Sequence, residues 1–592
     1  MAYILTLLIF CPLAVGLTLL FFPAKAKRAM YGFSLVTSVA MFFLSLGLLT
    51  GDYSQGTFQF VTMRNWVPAF GITYSVGVDG ITLWLVLLTT LLLPIVVLSS
   101  YSYIKDRIRE YLFALFLLQT SMIGAFLALD LFLFFVFWEL MLIPMYLIIG
   151  MWGGERRIHA TVKFFIFTMV GSALMFVAIL FLVAQFKELT GVTTFSYLEL
   201  RRVILPPAMQ WWLFLAFALS FAIKVPFWPL HTWLPDAHTE APTGGSVILA
   251  AVLLKMGTYG FLRFAMPLFP QASHELGPTL AILAIIGIIF GSLVAWMQKD
   301  VKRLVAYSSV AHLGFCMLGL FALENRAMAG SVFQMLSHGI STGMLFLLVG
   351  VIYERRHTRL ISEFGGLAKV MPAYAAVFVI VTLSSIGLPT TNGFIGEFLI
   401  LWGTFKSQVL PHARWMATLA ATGVILGAVY MLSVVLRMFF GSLKNPRNRD
   451  LKDLSAREWL YLLPGIILIF AMGLFPTPFL KKIEPSVELM RMDYLRKGAA
   501  SLTIDQPVLS KPVTWLLPPD RRPLPIAAKP RQIKAGPGQS ITKLTANHPL
   551  RKGGKIKGYR PGSPLPTGHK PNLPKVPPVM PGGGKPAKGG VQ

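Results

Sequence analysis

Charge is what this 592-residue chain has least of. Asp, Glu, Lys and Arg together make up 13% of it, about half of what soluble globular chains carry. That scarcity excludes an ordinary soluble enzyme. Cysteine is scarcer still: Cys11 and Cys316 each sit inside an apolar run. Two thiols are too few for an iron–sulfur cluster, and no C-x-x-C-H segment offers haem attachment. No G-x-G-x-x-G stands between a strand and a helix, so no dinucleotide site is visible. The chain carries no recognisable electron carrier of its own. The short alternating segments of a transmembrane β-barrel are also missing.

What is there is apolar. Hydrophobic residues make up 55% of the chain and its mean hydropathy is +0.66. Runs near the length of about 20 residues that a bilayer-spanning helix needs recur up to about position 480. They predict an all-α polytopic membrane protein with about fourteen transmembrane helices. The spans fall near 2–22, 30–50, 80–100, 111–129, 131–150, 162–186, 210–232, 243–266, 277–297, 303–321, 328–352, 372–402, 414–440 and 457–478. The first lacks the basic start and small-residue cleavage site of a secretory leader and reads as a helix. Basic residues gather in odd-numbered connections, for example Lys105/Arg107/Arg109 and Arg355/Arg356/Arg359. The positive-inside rule then puts both termini on the outer, periplasmic face of a bacterial-type inner membrane.

The formal net charge of +28 is concentrated at one end: residues 479–592 hold 21 Lys or Arg against five acids. Nucleic-acid binding is the usual reading of such a balance, but no stacking aromatics interleave these cations, and the expectation is no nucleic acid. Pro and Gly crowd this tail, which predicts a disordered or polyproline-like extension.

Two spans carry helix-breaking signals. The seventh contains Pro226, Pro229 and Pro235, the twelfth Gly387, Pro389 and Gly393. Proline removes a backbone donor and clashes with the preceding turn, so unwound backbone must be satisfied by protein or water. Paired interruptions in two halves of a chain point to inverted repeats around a midplane site. The expected organisation is helices 1–3 over 1–110, one five-helix repeat (helices 4–8) over 111–266 and a second (helices 9–13) over 277–440. The last helix, 457–478, and the tail, 479–592, follow.

Inside these spans stand ionisable residues: Glu139, Lys224, Lys255, His312, His338 and Glu397. Each lone charge at the bilayer centre costs about 2.5–3.5 kcal/mol on insertion scales. Six together exceed the about 5–15 kcal/mol stability of a whole domain unless they pair or meet water. Snorkelling suits Lys163 or Arg263 near span ends but not Lys224, Lys255 or Glu139, for which a structural Glu139–Lys224 ion pair is the alternative to function. Lysine, glutamate and histidine held this way can exchange protons when a partner moves. Ser308 and Ser309 near His312, and Gln334 and Ser341 near His338, read as water holders. His231 and His238 follow Lys224 at seven-residue intervals as secondary candidates. A metal or loop-structural role stays open for them, although no convergent carboxylate–histidine spacing supports zinc or iron.

The stretches "GVDGIT" (77–82), "DLFLFFVFWELMLIPMYLIIGMWGG" (130–154), "KVPFWPLHTWLPDAHTEAPTGGSVILAAVLLKMGTYGFLRF" (224–264), "DVKRLVAYSSVAHLGF" (300–315) and "GLPTTNGFIGEF" (387–398) closely resemble the subunit M (chain 4) family of proton-translocating NADH–quinone oxidoreductase, respiratory complex I. The resemblance covers about residues 1–480. It implies an acid–lysine pair at Glu139 and Lys224, a central Lys255, and a hydrated route through His312 and His338 to Glu397. It also implies L- and N-type membrane-arm neighbours, with FMN, iron–sulfur clusters and quinone in partner subunits and no cofactor in this chain. Glu397, where related subunits commonly carry lysine, favours M. The alternative is a subunit of a cation/proton antiporter or membrane-bound hydrogenase. The long tail departs from the family, whose members usually end soon after the last helix.

Overall fold

The computed structural model describes residues 3–443 and 445–510. Polar residues set the helix starts, because the first backbone N–H groups of a helix need acceptors that an apolar run cannot supply. Asp79, Asp130, Asp300 and Ser455 each accept N–H bonds at the head of an apolar helix. Helices α1 (Ile4–Leu20) and α2 (Lys27–Leu46) lead to an antiparallel hairpin of β1 (Gln59–Val67) and β2 (Ile72–Val78). The chain continues through α3 (Gly80–Tyr103), α4 (Ile108–Leu127), α5 (Leu131–Leu140), α6 (Leu142–Trp152), α7 (Arg157–Thr190) and the short α8 (Tyr197–Leu200). Strand β3 (Val203–Ile204) precedes α9 (Pro207–Lys224) and α10 (Trp233–Glu240).

The eighth span is entirely buried and irregular. It runs α11 (Thr243–Ile248), a π turn (Leu249–Leu253), α12 (Leu254–Gly260), a second π turn (Phe261–Ala265) and α13 (Met266–Leu268). Then come α14 (Pro270–Trp296), α15 (Val301–Phe321), α16 (Asn325–Arg356), α17 (Pro372–Ser385), α18 (Asn392–Lys406), α19 (Ala413–Phe439) and α20 (Ala456–Leu474). Twelve spans among the described residues are long and apolar enough to cross a membrane, and α1 and α17 are shorter apolar helices. Each of the fourteen expected spans falls on a helix or a broken pair.

Both expected breaks are present. Helix α9 stops at Lys224, ahead of Pro226, and α17 stops at Ser385, seven residues before α18 begins. Gly387 turns the second break with φ +74°, and a side chain there would press on the Glu397 carboxylate. Helices α16 and α18 approach closely because Gly330 and Gly396 face each other's helices. A Cβ on Gly396 would lie 2.9 Å from Gln334 Cα.

The start of the tail needs correction. Residues Thr477–Ser501 form a further helix, α21, whose buried Ile483, Val487, Met490 and Tyr494 make one apolar stripe. Charged residues between them hid a 3.6-residue period that burial satisfies. Strand β4 (Val508–Leu509) then pairs with β3. The rest of the expected disordered tail, 511–592, lies outside the described residues.

Candidate functional site

Glu139 is the residue before the last of α5, the first half of a span interrupted at Met141, and Lys224 is the last residue of α9. No ion pair joins them. The Lys224 ammonium is buried without a hydrogen-bond partner and lies 4.9 Å from the Trp138 ring centroid. Glu139 is half-buried, with Ser172 beside its carboxylate and one oxygen unbonded. The expected acid–lysine pair is therefore a near approach held open, with an aromatic face standing in for the carboxylate.

Lys255 is fully buried. Its Nζ donates to the Ala250 carbonyl at 2.5 Å and lies 2.6 Å from His338 Nδ1. Ala250 belongs to the first π turn, whose i→i+5 pattern leaves a carbonyl with spare capacity. The His338 and His312 rings are 5.4 Å apart. His312 Nε2 lies 2.9 Å from the Ser385 carbonyl at the second break and 3.8 Å from Glu397 Oε1. Gln334 Nε2 donates to that same oxygen at 3.1 Å. Four of the six expected residues thus form one contiguous buried row, Lys255–His338–His312–Glu397. The two ring nitrogens not so engaged, His338 Nε2 and His312 Nδ1, are buried and unbonded.

The side chains expected to hold water have hydrogen bonds within the protein. Ser308 and Ser309 donate back to the Val305 carbonyl of their own helix. Ser341 bonds Ser384, which reaches Asn392 at the head of α18. His238 is fully buried, stacked on Phe346 at 4.5 Å, with both ring nitrogens unbonded. His231 packs edge-on against Phe290 and Tyr307. Among the described residues no group of three or more His, Cys, Asp or Glu side chains could hold a metal ion.

Sequence reasoning missed several buried charges. Arg263, read as a snorkelling side chain, is buried and paired instead; Lys163, read the same way, is partly exposed and also paired. Arg263 is buried against Asp79 of "GVDGIT", and Lys163 meets Asp236 at 2.7 Å. Helix α21 is pinned by Asp493, which takes Arg201 Nε at 2.7 Å, while Lys497 donates to the Arg201 carbonyl. Tyr197 joins the two clusters: its hydroxyl donates to the Arg263 carbonyl at 2.7 Å and accepts from Arg201 at 3.1 Å. Each pair links segments distant in sequence, and no local pattern announces that. Lys302, buried and bonded to the Ala241 carbonyl, was also missed.

Residues 128–427 match the family described as NADH:quinone oxidoreductase/Mrp antiporter, transmembrane. Subunit M of NADH-quinone oxidoreductase from Rhodobacter capsulatus is 43% identical over 511 residues, covering 83% of this chain and 97% of that protein. NADH-ubiquinone oxidoreductase chain 4 of Marchantia polymorpha is 42% identical, covering 81% and 95%. A chain of respiratory complex I from Thermus thermophilus superposes with TM-score 0.75 at 33% identity, over 83% of this chain and 99% of that one. On these likenesses the chain belongs to the subunit M (chain 4) family of NADH–quinone oxidoreductases, among the antiporter-like membrane subunits.

Proposed function

We propose that the chain is a proton-translocating membrane-arm subunit of an NADH–quinone oxidoreductase, and that it performs no redox chemistry itself. The observation that carries this is the contiguous row Lys255–His338–His312–Glu397, buried at the level of two unwound or widened spans. A charged Lys255 donates to His338 Nδ1, which places the imidazole proton on Nε2. Transfer from Nζ to Nδ1 frees the Nε2 proton for His312, and His312 hands on to Glu397. The 5.4 Å between the rings calls for a ring rotation or a water at that step. The unbonded nitrogens on both rings favour it.

Glu139 and Lys224 gate the row in this reading. Lys224 rests on Trp138 rather than on a carboxylate, so a small movement of α5 closes or opens the acid–lysine pair. Glu139 is half-buried, which supports a neighbouring subunit of the L or N type covering it. FMN, iron–sulfur clusters and quinone then belong to partner subunits of the same complex. The basic connections support an energy-transducing membrane with the N-terminus and the tail on the outer side.

The test is proton pumping by the intact complex carrying Lys255→Ala, Lys224→Ala or Glu139→Ala. Pumping is lost and assembly is retained in each. Normal pumping in all three defeats the proposal, and sodium-driven exchange without NADH would move the chain to the antiporter reading.

A further inference from the structure

Helices α2 and α20 both lean on α3 and leave a seam along it. Two slots lie end to end in that seam. The outer one, 440 Å³, is walled by apolar side chains from Phe42 of α2 to Leu49 just past its end, Trp84 to Leu91 of α3 and Pro464 to Met472 of α20, with Leu336 and Ile340 of α16 and Phe479 of α21 completing it. The inner one, 330 Å³, runs from Arg28 to Leu35 of α2 and is backed by Val97, Leu98 and Tyr101. From Arg28 to Leu49 the rise is about 30 Å at 1.5 Å per residue, the thickness of the hydrocarbon core. The seam therefore offers one apolar slot to each leaflet.

The inner slot ends in cations. Arg28 and Arg457 line it, and Lys27 Nζ stands 4.8 Å from the Tyr101 ring. Arg457 Cζ lies 5.8 Å from the same ring. No carboxylate is within ion-pair distance of Lys27, Arg28 or Arg457 among the described residues. Arg457 Nη2 donates to the Ser102 hydroxyl at 2.9 Å, and that hydroxyl donates to Glu354 at 2.6 Å. Its Nε is buried and unbonded. Cations that converge on one tyrosine repel one another until an anion sits among them. The wall stays open because Gly32 lacks a side chain; a Cβ there would touch nothing within 4 Å.

We propose that the inner slot binds an anionic phospholipid of the leaflet on the basic side. One acyl chain lies along Gly32, Leu35 and Leu98, and the phosphate is held by Arg28, Arg457 and Lys27. Charge complementarity at the mouth and an apolar floor select this occupant over an apolar face of a neighbouring helix, which would bring no anion to the cations.

The experiment uses the intact complex in mild detergent with two photoactivatable lipids, phosphatidylglycerol and phosphatidylcholine, carrying the same acyl diazirine. Phosphatidylglycerol should label peptides of α2 and α20 several-fold more than phosphatidylcholine. Arg28→Ala with Arg457→Ala should erase that preference. Gly32→Leu, which keeps every charge and fills the slot, should remove labelling by both lipids. Equal labelling by the two lipids in the unaltered complex overturns the proposal, and that comparison needs no variant to assemble. Labelling that persists in Gly32→Leu also overturns it, as does finding a neighbouring subunit's side chains in the slot.

Discussion

Lys255 Nζ and His338 Nδ1 stand 2.6 Å apart, and the contact fixes how protons are distributed over the two. Both atoms cannot carry a proton on the line between them. Either the lysine, as ammonium or amine, donates to a bare Nδ1, or a neutral amine accepts from an Nδ1–H. The pair therefore holds one shared proton at a time.

His338→Gln separates relay from positioning. The glutamine carbonyl can accept from Lys255 but cannot take a proton on one side and release it on the other. We expect proton pumping to fall at least tenfold in both His338→Gln and His338→Ala, with assembly retained. Activity retained by glutamine alone would make His338 a positioning residue.

Gly396→Ala drives a methyl into Gln334, the residue that donates to Glu397. Overpacking of this kind costs about 1–3 kcal/mol, so the thermal transition of the purified complex should fall and pumping with it. Gly427→Ala on α19 is the control. A Cβ there meets nothing within 4 Å, and a helical alanine gains about 0.5–1 kcal/mol over glycine.

Asp493→Ala leaves Arg201 buried with its main charge partner gone, and breaking such a pair costs about 3–5 kcal/mol. Helix α21 should release from the helices it packs against. Hydrogen exchange over residues 477–501 should rise strongly, while exchange in α15 and α16 stays low.

The same contact sets an acid limit. Burial raises the Asp493 carboxyl, but Arg201 and Lys497 outweigh it and hold the group below its ordinary value. A lowered carboxylate stabilises the fold above the unfolded value of about 3.9 and loses that contribution as pH falls through the folded one. Helix α21 should stay docked from pH 7 down to about 4 and become protease-sensitive below that. Release already at pH 6 would contradict it.

The spans were legible because apolar length and broken-helix residues are local properties. So were the six ionisable positions, since a charge inside an apolar run is an anomaly on its own line of sequence. Their partners were not. Gln334 reads as a companion of His338 one turn away, yet it serves Glu397 across a helix contact made by Gly396. Lys224 and Glu139 read as a closed pair, yet Trp138 takes the lysine. Arg263 reads as a rim residue because its partner, Asp79, lies 184 positions away. Helix α21 shows why composition can mislead: its lysines and Pro485 mask a stripe that one buried face makes sufficient.

The π turn at Leu249–Leu253 has a consequence for chain length. A wide turn stores one residue more than an α-helix of the same axial extent. Deleting one residue there could be absorbed by tightening the turn, with both ends of the span left in place. Lys255, which lies beyond the turn, would then keep its face toward His338, and only the Ala250 carbonyl it bonds would change place. The turn is thus a length reserve: it can give up one residue without re-aiming the central lysine, whereas the same deletion in a regular α-helix would rotate everything beyond it by about 100°.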